Sequence, residues 1–179
     1  MIGRSRLTRL LHDRSATAAV EFAIILPVML ILYLGTFEAS HAITTKRKVE
    51  SAAEAVAGIV ARSPEMDLTR LRNVLLVSDA IADGVSGAEP KITITTVRTD
   101  ANGKATVDWQ RIGTVAGAAK GTPYTLSGEL AGLADAYFVV ARVEYSYAPN
   151  FDVGGLFGTL EFDRSFTFRP RKGSEIPWK

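Results

Sequence analysis

The sequence contains no cysteine and only two histidines among its 179 residues. Without cysteine there is no disulfide framework, no thiolate metal site and no cysteine nucleophile. His12 and His41 flank the one long apolar run from opposite sides, so they make neither a shared metal site nor an acid–base pair. Catalytic motifs are missing as well. No G-x-S-x-G elbow occurs, and "GGLFG" at Gly154 to Gly158 reads as a turn between strands, because a dinucleotide fingerprint needs a strand before it and a helix after it. Asp100-Ala101-Asn102-Gly103 has neither the ligand spacing nor the closing glutamate of a calcium loop, and reads as a hairpin turn. The acids Glu144, Asp152 and Glu161 show no pairing along the chain. Excess charge is also lacking: 21 Lys and Arg against 19 Asp and Glu leave +2, too little and too scattered to hold nucleic acid by counterion release. The composition points away from an enzyme, a cofactor, a metal and a nucleic-acid partner.

What the sequence has is hydrocarbon, concentrated near its start. In "SATAAVEFAIILPVMLILYLGTFE", Ser15 to Glu38, the sixteen residues from Phe22 to Phe37 carry no charge. With Ala16 to Glu21 included the stretch reaches about 22 residues, or ~33 Å at about 1.5 Å per residue, enough to cross the hydrocarbon core of a bilayer. Ten Leu, Ile, Val and Phe residues lie in the uncharged run. They favour insertion by about 3 to 6 kcal/mol, against about 2.5 to 3.5 kcal/mol for a centrally placed acid. Glu21 sits off-centre, so the segment inserts in spite of it. Arg4, Arg6, Arg9 and Arg14 precede the run with only Asp13 opposing them, which places the N-terminus in the cytoplasm; Lys46, Arg47 and Lys48 on the far side pull the other way. Two plainer readings stay open. Ser40-His41-Ala42 offers a small-x-small signal-peptidase site, and a simple anchor would let Glu21 snorkel to the headgroups.

Beyond the span, Val49, Ala52, Ala53, Val56, Ile59 and Val60 recur at helical spacing between Lys48, Glu50, Glu54 and Arg62, so the helix continues as an amphipathic stem. Ser63-Pro64 ends it, and a second helix is expected from about Asp67 to Ile81, with Leu68, Leu71, Leu75 and Ile81 near one face and Asp83-Gly84 and Ser86-Gly87 closing it. Past Pro90 the period changes. "KITITTVRTDANGKATVDWQRIG" reads as two strands about an Asn102-Gly103 turn, and two further runs, Phe138 to Tyr147 and Leu160 to Phe168, alternate as strands. "GTVAGAAKGTPYTLSG", between the hairpin and these two runs, reads as a glycine-rich loop followed by a short helix through Leu130 and Leu133. Tyr145, Tyr147, Phe151, Phe157, Phe162, Phe166 and Phe168 read as the core of a small sheet rather than an adhesive patch. The expected fold is α+β: a basic leader over 1–16, a transmembrane helix and stem over 17–62, and an extracytoplasmic domain over 63–179 with an antiparallel sheet and one or two helices.

The stretch "DRSATAAVEFAIILPVMLILYLGTFEASHAITTKRKVESAAEAVAGIVA" resembles the TadE-like family of pseudopilins in its Arg14, its small residues Ala16 to Ala19, Val20-Glu21-Phe22, Pro27, Glu38 and Ala52-Ala53. "VEYSYAPNF" and "FRPR" look like the family's outer portion, less specifically. The resemblance implies a minor pilin or pseudopilin of a tight-adherence, Flp-type pilus in the bacterial inner membrane. Its partners would be membrane lipids, other pilin-like and pilus-assembly proteins, and a prepilin peptidase. It also implies a cut between Ala16 and Thr17 that makes Glu21 the fifth residue of the mature chain, facing the new N-terminal amine of a neighbouring subunit. Such an amine would offset the cost of a carboxylate in a low-dielectric bundle and fix axial register. Glu21, Phe22, Pro27 and Glu38 are the residues expected to serve assembly and helix packing. Ala16 stands where such cuts ordinarily follow glycine. An unprocessed single-pass scaffold or binding protein is the alternative.

Overall fold

The computed structural model describes residues 14–82, 89–126, 128–151 and 158–179. The leader arginines Arg4, Arg6 and Arg9, the Asp83-Gly84 and Ser86-Gly87 pairs, Asp152, Phe157 and most of "GGLFG" lie outside the described residues.

Helix α1, Arg14–Arg62, is continuous through span and stem. Pro27 stands inside it; its ring nitrogen has no hydrogen to give the preceding turn, yet the helix runs on. It ends before Ser63-Pro64 as expected, where Ser63 Oγ donates to the Ile59 carbonyl at 3.0 Å. Helix α2, Leu68–Ala82, begins on an N-cap: Asp67 Oδ1 accepts the Arg70 N–H at 2.8 Å.

Five antiparallel strands follow: β1 Lys91–Thr99, β2 Ala105–Ile112, β3 Val115–Ala116, β4 Tyr137–Tyr147 and β5 Leu160–Phe168, in the order β3-β2-β1-β4-β5. The four long strands occupy the alternating runs of the sequence. Two details differ from expectation. The short β3 extends the sheet within the glycine-rich loop, and the helix expected through Leu130 and Leu133 is a single 3-10 turn, Gly128–Leu130. Gly128 and Gly132 both take left-handed φ values, 64° and 85°, which leaves no room between them for a regular helix. At the β1–β2 hairpin, Asp100 Oδ1 accepts the N–H groups of Asn102 at 2.9 Å and Lys104 at 2.8 Å. Only Gly103 takes positive φ there, at 77°.

The stem is a wall of the outer fold rather than a spacer. Val49, Ala53, Val56, Ala57, Val60 and Ala61 of α1 are buried in one cluster with Leu71 and Val74 of α2 and with Ile92, Ile94, Val139, Ala141 and Val143 of the sheet. Alanines on the buried face let the helix backbone approach the strands, so small side chains bring β-branched partners into contact. Tyr145 and Tyr147 lie in the same core, with Phe162, Phe166 and Phe168 partly buried against it. These five aromatics therefore pack the sheet, as expected; Phe151 does not, because it lies past the end of β4 with its ring against Phe37 and is 47% exposed, and Phe157 lies outside the described residues. On α2 the buried face is Leu71, Val74 and Ser78, and Leu68 is exposed. Met66, just ahead of the helix, is fully buried and takes the core position that the sequence pattern assigns to Leu68.

The chain ends by tying these layers together. Ile176 is fully buried; its carbonyl accepts the Trp109 indole N–H at 2.6 Å and the Tyr137 hydroxyl at 3.2 Å. Met66 N–H donates to the Pro177 carbonyl and Lys179 N–H to the Met66 carbonyl, both at 2.9 Å.

Candidate functional site

The first half of α1 has no counterpart in the core. Every side chain described from Thr17 to Tyr33 is exposed, and this helix is long and apolar enough to cross a membrane with none of its apolar window buried inside the chain. A water-soluble surface rarely exposes contiguous apolar area beyond a few hundred Å²; sixteen residues of uncharged helix exceed that. Glu21, Phe22 and Pro27 all stand exposed on this stretch. The structure therefore places three of the expected assembly residues on a free helix surface. Thr17 is exposed beside them, and Ala16 is helical in backbone.

Glu38 is different. It is 3% exposed, and its two carboxylate oxygens are taken by the outer domain. Oε2 accepts the Tyr147 hydroxyl at 2.8 Å and Oε1 accepts the Phe151 N–H at 2.9 Å. Hydrogen bonds to a carboxylate are among the stronger neutral-donor contacts, worth about 1.5 to 3 kcal/mol. Burial, and then the neighbouring Glu38 carboxylate, push the Tyr147 phenol up to about 12. The rings reinforce the contact: Phe37 meets Phe151 edge-on at 5.8 Å and His41 at 4.5 Å. Gly35, Ala39 and Ala42, with Tyr147, Pro149 and Leu160, line a cavity of about 250 Å³ beside Glu38. The end of the apolar run is thereby latched to the last residue of β4. Further out, Glu50 receives Arg164 of β5 at 2.8 Å.

A second polar cluster lies on the sheet. Asp108 accepts Tyr137 Oη at 2.9 Å and pairs with Lys120 Nζ at 2.6 Å. Burial pushes its carboxyl up, but these two partners outweigh that and hold it below the usual carboxylate range. Arg98 pairs with Glu175, and the Arg111 guanidinium lies 3.8 Å from the Trp178 ring centroid. Asp108 and Arg98 are each paired with an opposite charge and Arg111 lies on a tail ring, so the cluster reads as a fastening of the C-terminal tail. Among the described residues no three His, Asp or Glu gather to hold a metal ion.

Tyr147, the Phe151 N–H and Arg164 were not legible as partners of the helix acids. The available signal was Glu38 itself, the one formal charge between Phe22 and Thr45, since a lone acid in such a stretch needs donors from somewhere.

A long exposed apolar helix, fused to a stem that walls a small antiparallel sheet, defines an α+β protein whose N-terminal helix is consistent with a single-pass membrane anchor. Much of its helix is similar to a known family: residues 16–57 match the family model described as TadE-like protein. The match holds Thr17, Glu21, Phe22, Pro27, Glu38 and the buried alanines Ala52 and Ala53. No curated protein and no solved structure matches the chain.

Proposed function

We propose that this protein is a membrane-anchored minor pilin or pseudopilin that takes part in assembling a tight-adherence, Flp-type pilus. The observation that carries the reading is the exposed apolar half of α1, with Glu21 near its start, inside a TadE-like segment. Association without catalysis is the mechanism. Apolar side chains from Phe22 to Phe37 pack against partner helices within the inner membrane, and Glu21 pairs with an ammonium or another cation supplied by a partner. In that low-dielectric setting an unpaired carboxylate is costly, so the pair selects register as well as partner.

Processing by a prepilin peptidase between Ala16 and Thr17 would generate the amine that such a neighbour offers. The leader arginines support a cytoplasmic N-terminus and an extracytoplasmic sheet domain. Alanine at position 16, where glycine is ordinary, favours a second reading: an unprocessed single-pass scaffold that holds its outer domain at the membrane.

Glu21→Ala separates the two. As an assembly residue, Glu21 should be needed for co-purification with pilin-like partners and for piliation, while the variant stays in the membrane fraction. Normal co-purification and piliation of the variant would overturn the pilin reading in favour of the scaffold.

A further inference from the structure

The β4–β5 connection leaves the sheet at the end nearest the apolar helix, and its first described residues are held at a set depth along α1. Phe151 N–H binds Glu38, and its ring packs on Phe37. Leu160, where the chain re-enters the sheet, pairs with Tyr147 and so lies at the same level. Despite these contacts Phe151 is 47% exposed, Leu160 42% and Phe37 40%. Tyr33, about one turn toward the N-terminus, is exposed too.

That level is where a bilayer ends. The helix from Thr17 to Phe37 spans about 31 Å at ~1.5 Å per residue, matching a hydrocarbon core of about 30 Å. Phe37, Phe151 and Leu160 then stand at the lipid boundary, with Tyr33 about 6 Å inside it. From Phe22 to Thr45 the one formal charge is Glu38, and Tyr147 and Phe151 cover it. No charge of α1 meets lipid at this depth. The nearest carboxylate of β5, Glu161, accepts a hydrogen bond from Ser146 and alternates to the sheet face opposite Leu160. Aromatic residues favour this interfacial layer.

We propose that Phe151 and Leu160, with Phe37 and Tyr33, form a lipid-contacting patch on which the outer domain rests at the bilayer surface. The occupant is lipid, because the patch continues the exposed apolar surface of α1 at the same depth and, among the described residues, presents no charge there. The inference rests on reading α1 as a membrane span. It assigns the sheet an orientation: β4 runs back from Tyr147 at the membrane to Tyr137 about 33 Å away, at ~3.3 Å per residue, so the hairpin bearing Asn102 is distal.

The absence of cysteine makes the test direct. Phe151→Cys in the full chain would carry a polarity-sensitive fluorophore after reconstitution into vesicles of phosphatidylethanolamine and phosphatidylglycerol. Leu30→Cys would report the span and Asn102→Cys the distal end. The labels at positions 30 and 151 should shift to the blue and lose emission to lipids brominated on their acyl chains, and the label at 102 should do neither. Quenching at 30 with solvent-like emission at 151 would overturn the patch and leave the span standing. A blue shift at 151 without bromine quenching would also overturn it, and would point to a neighbouring subunit as the cover. If the label at 30 escapes quenching, the span fails and the patch with it. Leu160→Cys gives the same readout should Phe151→Cys fail to reach a native tryptophan spectrum.

Discussion

Tyr147 donates its phenolic hydrogen to Glu38 across 2.8 Å, joining the end of β4 to the helix residue that follows the apolar run. The bond joins the apolar helix and the sheet into one folded unit. Removing the acceptor should loosen that unit: Glu38→Ala strands the buried Tyr147 hydroxyl, at about 1 to 3 kcal/mol for a buried group left unsatisfied, and releases the part-buried Phe151 N–H. Glu38→Gln keeps an acceptor and should lose less. Urea unfolding in detergent, followed by the emission of Trp109 and Trp178, measures both; an unchanged midpoint in Glu38→Ala would contradict the latch.

The same pair makes an alkaline prediction. Tyr147 ionises near pH 12 in the folded chain, against about 10 for an ordinary tyrosine. Its folded value is the higher one, so its contribution to stability is whole below about pH 10 and disappears as pH rises through about 12. Tyr147→Phe should lower stability at neutral pH by about 1.5 to 3 kcal/mol, the worth of a hydrogen bond to a carboxylate, and flatten the loss between those pH values. Chemical denaturation at a series of alkaline pH values would show the difference in slope; parallel curves for the two proteins would exclude Tyr147 as the source.

Gly103 is a backbone requirement of the distal hairpin. Its φ is 77°, and a Cβ there would sit 2.7 Å from the Gly132 carbonyl oxygen. Gly103→Ala meets both the left-handed penalty of about 1 kcal/mol and a backbone clash, so a loss of about 2 kcal/mol or more is expected. The thermal midpoint of the reconstituted protein reports it. Gly113→Ala, with φ 54° but open space around its Cβ position, should cost less; equal losses would show that the Gly132 contact does not matter.

Ala53 of the stem is fully buried against the sheet. Ala53→Leu overfills that contact and should destabilise by about 1 to 3 kcal/mol, whereas leucine at Ala39, which is exposed, should be nearly neutral. Hydrogen exchange along β4 would reveal the first and miss the second. A stem that is only a spacer would tolerate both.

Much of this architecture was legible because the sequence states it in simple periods. Val139, Ala141, Val143, Tyr145 and Tyr147 alternate with residues of the opposite face, and Val49, Ala53, Val56 and Val60 follow the helical repeat, so strand and stem were both readable. The contact of Leu68 was misread because Met66, outside any period, fills the core position first. Ile176, Trp178 and Lys179 were illegible for a related reason: the tail forms one short bridge to Met66, and its Ile176 carbonyl accepts from Trp109 and Tyr137 on distant strands. The residues expected to serve assembly divide in the same way. Glu21 stands out as an acid in hydrocarbon, and the structure leaves it exposed on the free half of α1. Glu38 enters through the TadE-like resemblance alone, and its donors come from residues more than a hundred positions later, a pairing that no local pattern announces.

The central claim is that α1 is a pilin-type helix whose Glu21 acts in assembly. The most direct test is the N-terminal residue and intact mass of the protein extracted from native membranes. A start at Thr17 is the predicted result, placing Glu21 fifth in the mature chain. An uncut leader would contradict pilin-type processing and leave an anchored scaffold, and a start at Ile43 would contradict the membrane helix altogether.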